Sequence, residues 1–553
     1  MLGSLRLATG VAVVTTFLVG VQAIPKVTRT GRYLYQEDGT RFYIKGIAYQ
    51  PQGEVIDSPD NDFGEPSTYI DPLAIPAGCT RDVELFKQAK INAVRVYSVD
   101  SSANHDACMK TFSDNGIYII IDLALPLNGS IDRTVPSWST NLLNQYLRTI
   151  DAFSKYDNVL AYNVGNEVVR DKSTQVAPYL KAAARDLKAY LRSKNSNALV
   201  GYASINGDST WRNALADYLT CGSEDIAIDI YGLNDYSWCG DSDFNSAYAA
   251  TTRSFANYNV VAYLGEFGCN TKPPRLFTEV SAIFSGQMSD IWSGGIAFSY
   301  FPARSRAGQF AMVEISADGK TATTNADWDK LVAQYGSVTP PNVPLKAAAS
   351  ESTYLNCNQP TSAFLASIVT PPTPNEKACE CLDDALSCHF TPYKPDTYKV
   401  AGELINSGCS LLGSAGGSCD EIGGDGQKGV YGRLSGCDPL IKASYVMSQY
   451  FEATNKNPTT CAFGGNGTIN ADSSAAASAA ASSCIPSPSA VFVPTLDSTS
   501  AGGSTSGSNS GSGSNGGSNA NGGKNGAFGG IDALAGVGGM AVVGLLSAIW
   551  TLA

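Results

Sequence analysis

Between Arg41 and Gly336, short apolar runs rich in β-branched residues alternate with longer stretches in which apolar positions recur every three or four residues. The runs predict strands at Phe42 to Ala48, Ala93 to Tyr97, Tyr118 to Leu123, Val159 to Asn163, Leu199 to Ala203, Ile226 to Tyr231, Val260 to Leu264 and Gly295 to Ser299. Strands that are apolar throughout belong to a sheet covered on both faces, and the helical stretches between them supply the cover. The class is therefore α/β, and eight strands are the number that closes a (β/α)8 TIM barrel. A doubly wound open sheet is the alternative, weakened because no Gly-rich phosphate loop follows the first strand.

The periodicity fails at both ends. Residues 1–23 combine Arg6, an apolar run through Val19 and a small-residue exit at Val21-Gln22-Ala23, which reads as a secretory signal peptide. The barrel domain then spans 24–345, a connecting segment 346–375, a cysteine-rich α+β module 376–485, and a flexible tether 486–525. From Ala501 to Gly530, 24 of 30 residues are Gly, Ser or Asn, too little apolar surface to offset the entropy of ordering. The Ala/Ser run from Ser473 to Ser483 reads as a shorter linker within the module. Residues 526–553 end in an apolar tail with no basic cluster behind it, the pattern of a GPI-attachment signal. Asn525, followed by Gly526 and Ala527, is the attachment residue, with Asn521 as runner-up; a transmembrane anchor is the alternative, for which the tail is barely long enough.

Charge and rare residues narrow the chemistry. With 38 Lys+Arg against 50 Asp+Glu, the net charge of −12 argues against nucleic acid as a partner. His105 and His389 are the only imidazoles, so a three-His zinc centre cannot be built, and no metal or cofactor is implied. Export makes the 14 cysteines a disulfide framework. Cys79, Cys108, Cys221, Cys239, Cys269 and Cys357 are spread along the barrel and its trailing segment. Cys379, Cys381, Cys388, Cys409, Cys419, Cys437, Cys461 and Cys484 crowd into the module, where about 105 connectivities remain open. Asn128-Gly-Ser and Asn466-Gly-Thr are glycosylation sequons.

In a barrel, chemistry belongs at the carboxyl ends of the strands. Gln50, Arg95, Tyr97, Asp122, Asn166, Glu167, Glu266 and Tyr300 all fall there. Cleaving a glycosidic bond needs one carboxylic acid to protonate the leaving oxygen and one carboxylate facing the anomeric carbon. Gly165-Asn166-Glu167 and Gly265-Glu266-Phe267-Gly268 place such a pair after strands four and seven, among small residues that admit a substrate. Opposed across the mouth they stand about 5 Å apart, the spacing of a retaining mechanism. Tyr97, Tyr236 and Tyr300 are the aromatics placed to stack on sugar rings; Tyr231 is weaker, since it closes strand six as core.

The runs Tyr156-Asp-Asn-Val-Leu-Ala-Tyr-Asn-Val-Gly-Asn-Glu167, Gly265-Glu-Phe-Gly-Cys-Asn270, Pro274-Arg-Leu-Phe-Thr-Glu279 and Trp292-Ser-Gly-Gly295 resemble the fungal β-1,3-glucanosyltransferases of glycoside hydrolase family 72. Cys379-Glu-Cys381, Gly429-Val-Tyr-Gly432 and Ser444-Tyr-Val-Met-Ser-Gln-Tyr450 resemble the X8 carbohydrate-binding domain that accompanies it. The resemblance implies Glu167 as acid/base, Glu266 as nucleophile and Asn166 on the sugar 2-hydroxyl; Arg95, by its position at the end of strand two, is expected to pair with Glu266 and favour its ionised form. It also implies the pairs Cys79–Cys108, Cys221–Cys357 and Cys239–Cys269. Phe267 departs from the family's Tyr, which puts a hydroxyl contact beside the nucleophile in doubt.

The activity so implied is transfer between β-1,3-glucan donor and acceptor chains, at the outer face of the plasma membrane through a GPI anchor and in the cell wall, by a monomer without cofactor. The module either grips glucan or braces the barrel. A plain β-1,3-glucanase and a non-catalytic glucan-binding wall protein are the alternative functions.

Overall fold

The computed structural model describes residues 24–55, 66–126, 129–305, 308–392 and 397–496. The signal segment, Asn128, Asn525 and the apolar tail lie outside the described residues. Eight parallel strands close a barrel: β1 Ile44–Ala48, β2 Ala93–Val96, β3 Tyr118–Asp122, β4 Val159–Asn166, β5 Leu199–Ile205, β6 Ile230–Asn234, β7 Val261–Phe267 and β8 Trp292–Ala297. They pair in chain order, and β8 returns to β1 with Gly294 opposite Ile44. The connecting helices are α1 Pro76–Gln88, α2 Asp106–Asp114, α3 Thr140–Phe153, α4 Ala177–Ser193, α5 Ser209–Thr220, α6 Phe244–Ala247, α7 Ala249–Ser254 and α8 Glu279–Ile283, with α9 Ala326–Ser337 after the last strand.

Period-two alternation divides the strands between two cores. Ala48, Ala93, Ile120, Ala161, Tyr263 and Ile296 fill the lumen, joined by Leu34 and Phe42 from the segment that precedes β1. Ile47, Val94, Ile121, Tyr162, Val200, Leu233 and Leu264 face outward into the shell of helices. Two strands are displaced from their expected positions in ways that bear on the site. Strand six starts at Ile230 rather than Ile226, because Ala227 and Ile228 are buried in the turn closing α5, where the Ile228 N–H donates to the Leu219 carbonyl at 3.0 Å. Strand eight ends at Ala297 rather than Ser299.

The cysteine-rich module contains α10 Glu376–Ala385, α11 Thr397–Ser414, α12 Pro439–Ala453 and α13 Ala477–Cys484, with a two-stranded pair formed by Cys388–Phe390 and Gly467–Ile469. The disulfides are Cys379–Cys437, Cys381–Cys484, Cys388–Cys461 and Cys409–Cys419. Those of the barrel and its trailing segment are Cys79–Cys108, Cys221–Cys357 and Cys239–Cys269, and no cysteine is free. The Ala/Ser run is not a linker. Its second half is α13, whose Ala477, Ala480 and Ala481 are buried against Leu382 and Tyr445 in the module core; small side chains there permit close helix packing.

The connecting segment and the module both dock on α4 of the barrel. Buried Arg185 and Asp186 of α4 bond to each other and to Thr373, and Arg185 also donates to the Pro371 carbonyl at 2.9 Å. Tyr179 of α4 meets Tyr431 of the module edge to face at 5.7 Å. The stretch 486–496, expected to open the flexible tether, is docked instead. Thr373 N–H donates to the Ala490 carbonyl at 3.1 Å, and Leu496 packs against the barrel's outer core. Asn466 is half-buried, its side-chain nitrogen donating to the Phe463 carbonyl at 3.1 Å. Among the described residues no helix is long and apolar enough to cross a membrane.

Candidate active site

Both carboxyls reach the barrel mouth through a local irregularity. On β4 the register with β5 shifts between Asn163 and Asn166; on β7 the register with β6 shifts where Asn234 comes opposite Glu266. Such a bulge reverses which face a side chain takes. Glu266 consequently turns inward while Phe267 turns out to pack edge-on against Phe277 at 6.4 Å. Each irregularity holds a glycine for reasons of packing. A Cβ on Gly265 would lie 2.6 Å from Asn234 Oδ1, and one on Gly165 would lie 2.9 Å from Val168 Cγ2. The glycines therefore make room for neighbouring side chains rather than for a substrate. Glu167 itself has φ 51, a left-handed backbone that costs a non-glycine residue about 1–3 kcal/mol, held by its N–H donating to the Ala203 carbonyl at 2.8 Å.

The two carboxyls have unequal surroundings. Glu266 is 7% exposed. Its Oε1 accepts from Tyr97 Oη at 2.8 Å and from Arg95 Nη1 at 3.3 Å; its Oε2 accepts from Tyr236 Oη at 2.7 Å. Half-buried Glu167 accepts from Asn234 Nδ2 at Oε1, at 2.7 Å. Burial raises Glu167 above the ordinary carboxyl range, opposed by the Asn234 bond and by Arg170, Arg95 and Arg133. Burial lifts Glu266 to about 7, with Arg95 pulling down and Glu167 pushing up. Among the described residues Glu266 accepts from one cation and two phenols and Glu167 from one amide, an asymmetry that favours the anion on Glu266. Burial also pushes the Tyr97 and Tyr236 phenols well above their ordinary value, so both remain donors.

Residues 18–339 match the glucanosyltransferase model of glycoside hydrolase family 72, and residues 386–468 match the X8 domain. The chain belongs to the glucanosyltransferase family. This glucanosyltransferase is 38% identical over 472 residues to 1,3-beta-glucanosyltransferase gas1 of Schizosaccharomyces pombe, covering 83% of this chain and 81% of that protein. It is 34% identical to 1,3-beta-glucanosyltransferase GAS2 of Saccharomyces cerevisiae, over 80% and 79% of the two chains. The solved structure of a Gas2p mutant from Saccharomyces cerevisiae, in complex with laminaritetraose and laminaripentaose, superposes with a TM-score of 0.72 at 32% identity, covering 83% of this chain and 98% of that one.

Of the residues expected to hold sugar, the glucanosyltransferase brings Tyr97, Asn166 and Tyr236 to the carboxyl pair. Asn166 Oδ1 accepts from Arg95 Nη2 at 2.8 Å and from Asn234 Nδ2 at 3.1 Å, and its NH2 has no partner among the described residues. Arg95 pairs with Glu266 as expected but is 0% exposed. It lies over the Tyr97 ring at 4.3 Å and is bound to Asp122 at 2.6 Å. Asp122 is likewise buried, accepting from Arg95 and from Asn163 Nδ2 at 2.6 Å. Both lie buried beneath the carboxyl pair with their polar groups committed to one another. Gln50 spends its amide on backbone: Oε1 accepts from the Tyr97 and Ser98 N–H groups, and Nε2 donates to the Ile70 carbonyl at 2.6 Å.

Tyr300 is a correction. It is 0% exposed, donates to Asp82 Oδ1 at 2.7 Å, and packs on Tyr49, Phe86 and Trp328. The aromatic just past β8 is Phe298, half-buried at the rim. Tyr231 is core.

Asn234 escaped the sequence reading because strand six was placed four residues early; a polar residue ending Ile230–Asn234 is the signal that would have found it. Asn234→Ala removes the bond that favours the Glu167 anion, so the proton is held more tightly. The alkaline limb of the kcat/KM profile is expected to move to higher pH and kcat to fall roughly 10- to 100-fold. A pH titration of initial rates checks it, and an unmoved alkaline limb would sink the role given to Asn234.

Proposed function

We propose that the chain elongates β-1,3-glucan by a retaining double displacement in which Glu266 is the nucleophile and Glu167 the acid/base. Glu266 attacks C1 at an internal linkage; the bond from C1 to the leaving O3 breaks, and Glu167 delivers its proton to that oxygen. The reducing-end fragment departs and a glycosyl ester remains on Glu266. The 3-hydroxyl at the non-reducing end of a second glucan then attacks C1, Glu167 takes its proton, and the ester bond returns to the carboxylate. Energy is conserved from one glycosidic bond to the next, so no activated sugar donor is required. The observation that carries the assignment is the asymmetry of donors, three on Glu266 against one on Glu167 among the described residues.

Asn166, Tyr97 and Tyr236 border the carboxyl pair and take the sugar bound there, with the free amide of Asn166 toward its 2-hydroxyl. Seven disulfides among the described residues support an oxidising location. The enzyme works at the outer face of the plasma membrane and in the wall, as a monomer held by a GPI anchor at Asn525. The contacts of α4 with Thr373 and Tyr431 support a bracing role for the module.

Incubating the secreted form, truncated before Asn525, with one reduced β-1,3-glucan oligomer of defined length tests the reaction. Products longer than the input are expected. Shorter products alone would make the enzyme a hydrolase, and unchanged substrate would leave a glucan-binding protein.

A further inference from the structure

The run Pro274-Arg-Leu-Phe-Thr-Glu279 contains none of the groups that bond Glu266 or Glu167, yet its Arg275, Phe277 and Glu279 are buried. Arg275 is 2% exposed and commits every nitrogen of its guanidinium. Nε donates to Asp327 Oδ2 at 2.7 Å, Nη1 to the Phe298 carbonyl at 2.6 Å and Nη2 to the Phe310 carbonyl at 2.9 Å. Its guanidinium also lies over the rings of Phe277 at 5.1 Å and Phe310 at 5.7 Å. A planar fork is the side chain that can hold three acceptors in fixed directions at once.

What the fork holds is the wall behind the nucleophile's donors. The Phe298 N–H donates to the Phe267 carbonyl at 2.9 Å, next to Glu266, so Phe298 is pinned at both backbone ends. Its ring meets Tyr97 edge to face at 6.4 Å and Tyr236 edge to face at 6.3 Å, both at 87°. Phe310 meets Tyr236 at 5.8 Å and Phe298 at 5.3 Å. The two tyrosines whose hydroxyls bond Glu266 thus rest on two aromatic rings whose carbonyls Arg275 fixes. From the neighbouring loop, Trp238 Nε1 donates to Thr278 Oγ1 of the same run at 2.9 Å, steadying the segment that carries Tyr236.

We propose that Arg275 is a positioning residue for the transfer reaction, holding Phe298 and Phe310 so that Tyr97 and Tyr236 keep their hydroxyls on Glu266. The role rests on Glu266 being the nucleophile. The titratable and charged groups around Glu266 are Arg95 and Tyr97 of the β2 end, Asp122 behind Arg95, Glu167 after β4, Tyr236 after β6 and Tyr263 on β7 itself. Arg275 faces none of these directly, so its effect passes through the rings.

Arg275→Lys keeps the positive charge and loses the fork. With the phenols no longer held, the Glu266 anion loses donors and keeps its proton to higher pH. The acidic limb of kcat/KM should move up by about half a pH unit or more, with kcat falling about tenfold and KM changing less. Phe310→Leu, which leaves Arg275 in place and removes a ring from Tyr236, should move the same limb in the same direction, and it decides the matter should Arg275→Lys not fold. A loss of Tm with an unmoved acidic limb in the folded variants would reduce Arg275 to a structural tie and overturn the proposal. Glu266→Gln, run alongside, keeps the two readings apart: if it retains activity the nucleophile assignment fails, whereas if it is inactive and the limb is unmoved, only the role of Arg275 fails.

Discussion

Glu266→Ala is expected to lower kcat/KM on β-1,3-glucan on the order of 10⁴-fold or more, because in the proposed mechanism the glycosyl ester forms on this carboxylate. Glu167→Ala should behave differently. On native glucan both steps lose their proton transfer, worth about 10²–10⁴-fold. On an aryl glycoside whose leaving group needs no protonation, the first step persists and the ester accumulates. Added azide then separates the roles by stereochemistry. In Glu167→Ala it intercepts the ester and yields a product with the configuration of the substrate; in Glu266→Ala it fills the space of the lost carboxylate and displaces the leaving group once, with inversion. The anomeric configuration of each azide product, read by NMR, is the measurement. Inversion from the Glu167 variant and retention from the Glu266 variant would exchange the two assignments. The proposed mechanism predicts the pH behaviour too: it requires Glu266 ionised and Glu167 protonated, so the rate should fall on the acid side as Glu266 gains a proton and on the alkaline side as Glu167 loses its own.

What could be read ahead of the structure follows from which features are written in a local pattern. The strand Tyr118–Asp122 is apolar up to its closing aspartate, and each glutamate lies one or two residues past a glycine at a strand end, so fold and carboxyl pair were legible. Strand boundaries were not, because Ala227 and Ile228 are as apolar as the strand they precede. That displacement hid Asn234, and the late placement of strand eight promoted Tyr300 to a rim it does not reach. Burial of polar residues was equally invisible: Arg95 and Asp122 look like rim groups until each is seen to satisfy the other. The alanines of α13 have the composition of a linker, and only the helix partners Leu382 and Tyr445 make them core. The module's disulfides join positions up to 103 residues apart, information that resides in the fold and not in spacing.

The second large effect concerns Arg95, where stability and catalysis share one side chain. Its guanidinium is wholly buried and spends itself on Asp122, Glu266, Asn166 Oδ1 and the Gly265 carbonyl. Arg95→Met fills similar volume and removes the charge, leaving Asp122 with Asn163 and Glu266 with two phenols. Two buried carboxylates without a cation cost about 3–5 kcal/mol, to be read as a lowered Tm and denaturation midpoint. Arg95→Met with Asp122→Asn removes one of the stranded charges as well, so the double variant should recover a good part of that stability. Activity should not recover with it. Arg95 is the strongest influence holding the Glu266 proton affinity down against burial, so without it Glu266 stays protonated to higher pH and the acidic limb of the rate profile moves up in both variants. Stability restored while the limb stays displaced would separate the two duties of Arg95. A double variant that regains both stability and the original limb would mean that Arg95 merely neutralises Asp122 and that the donors on Glu266 are the tyrosines alone.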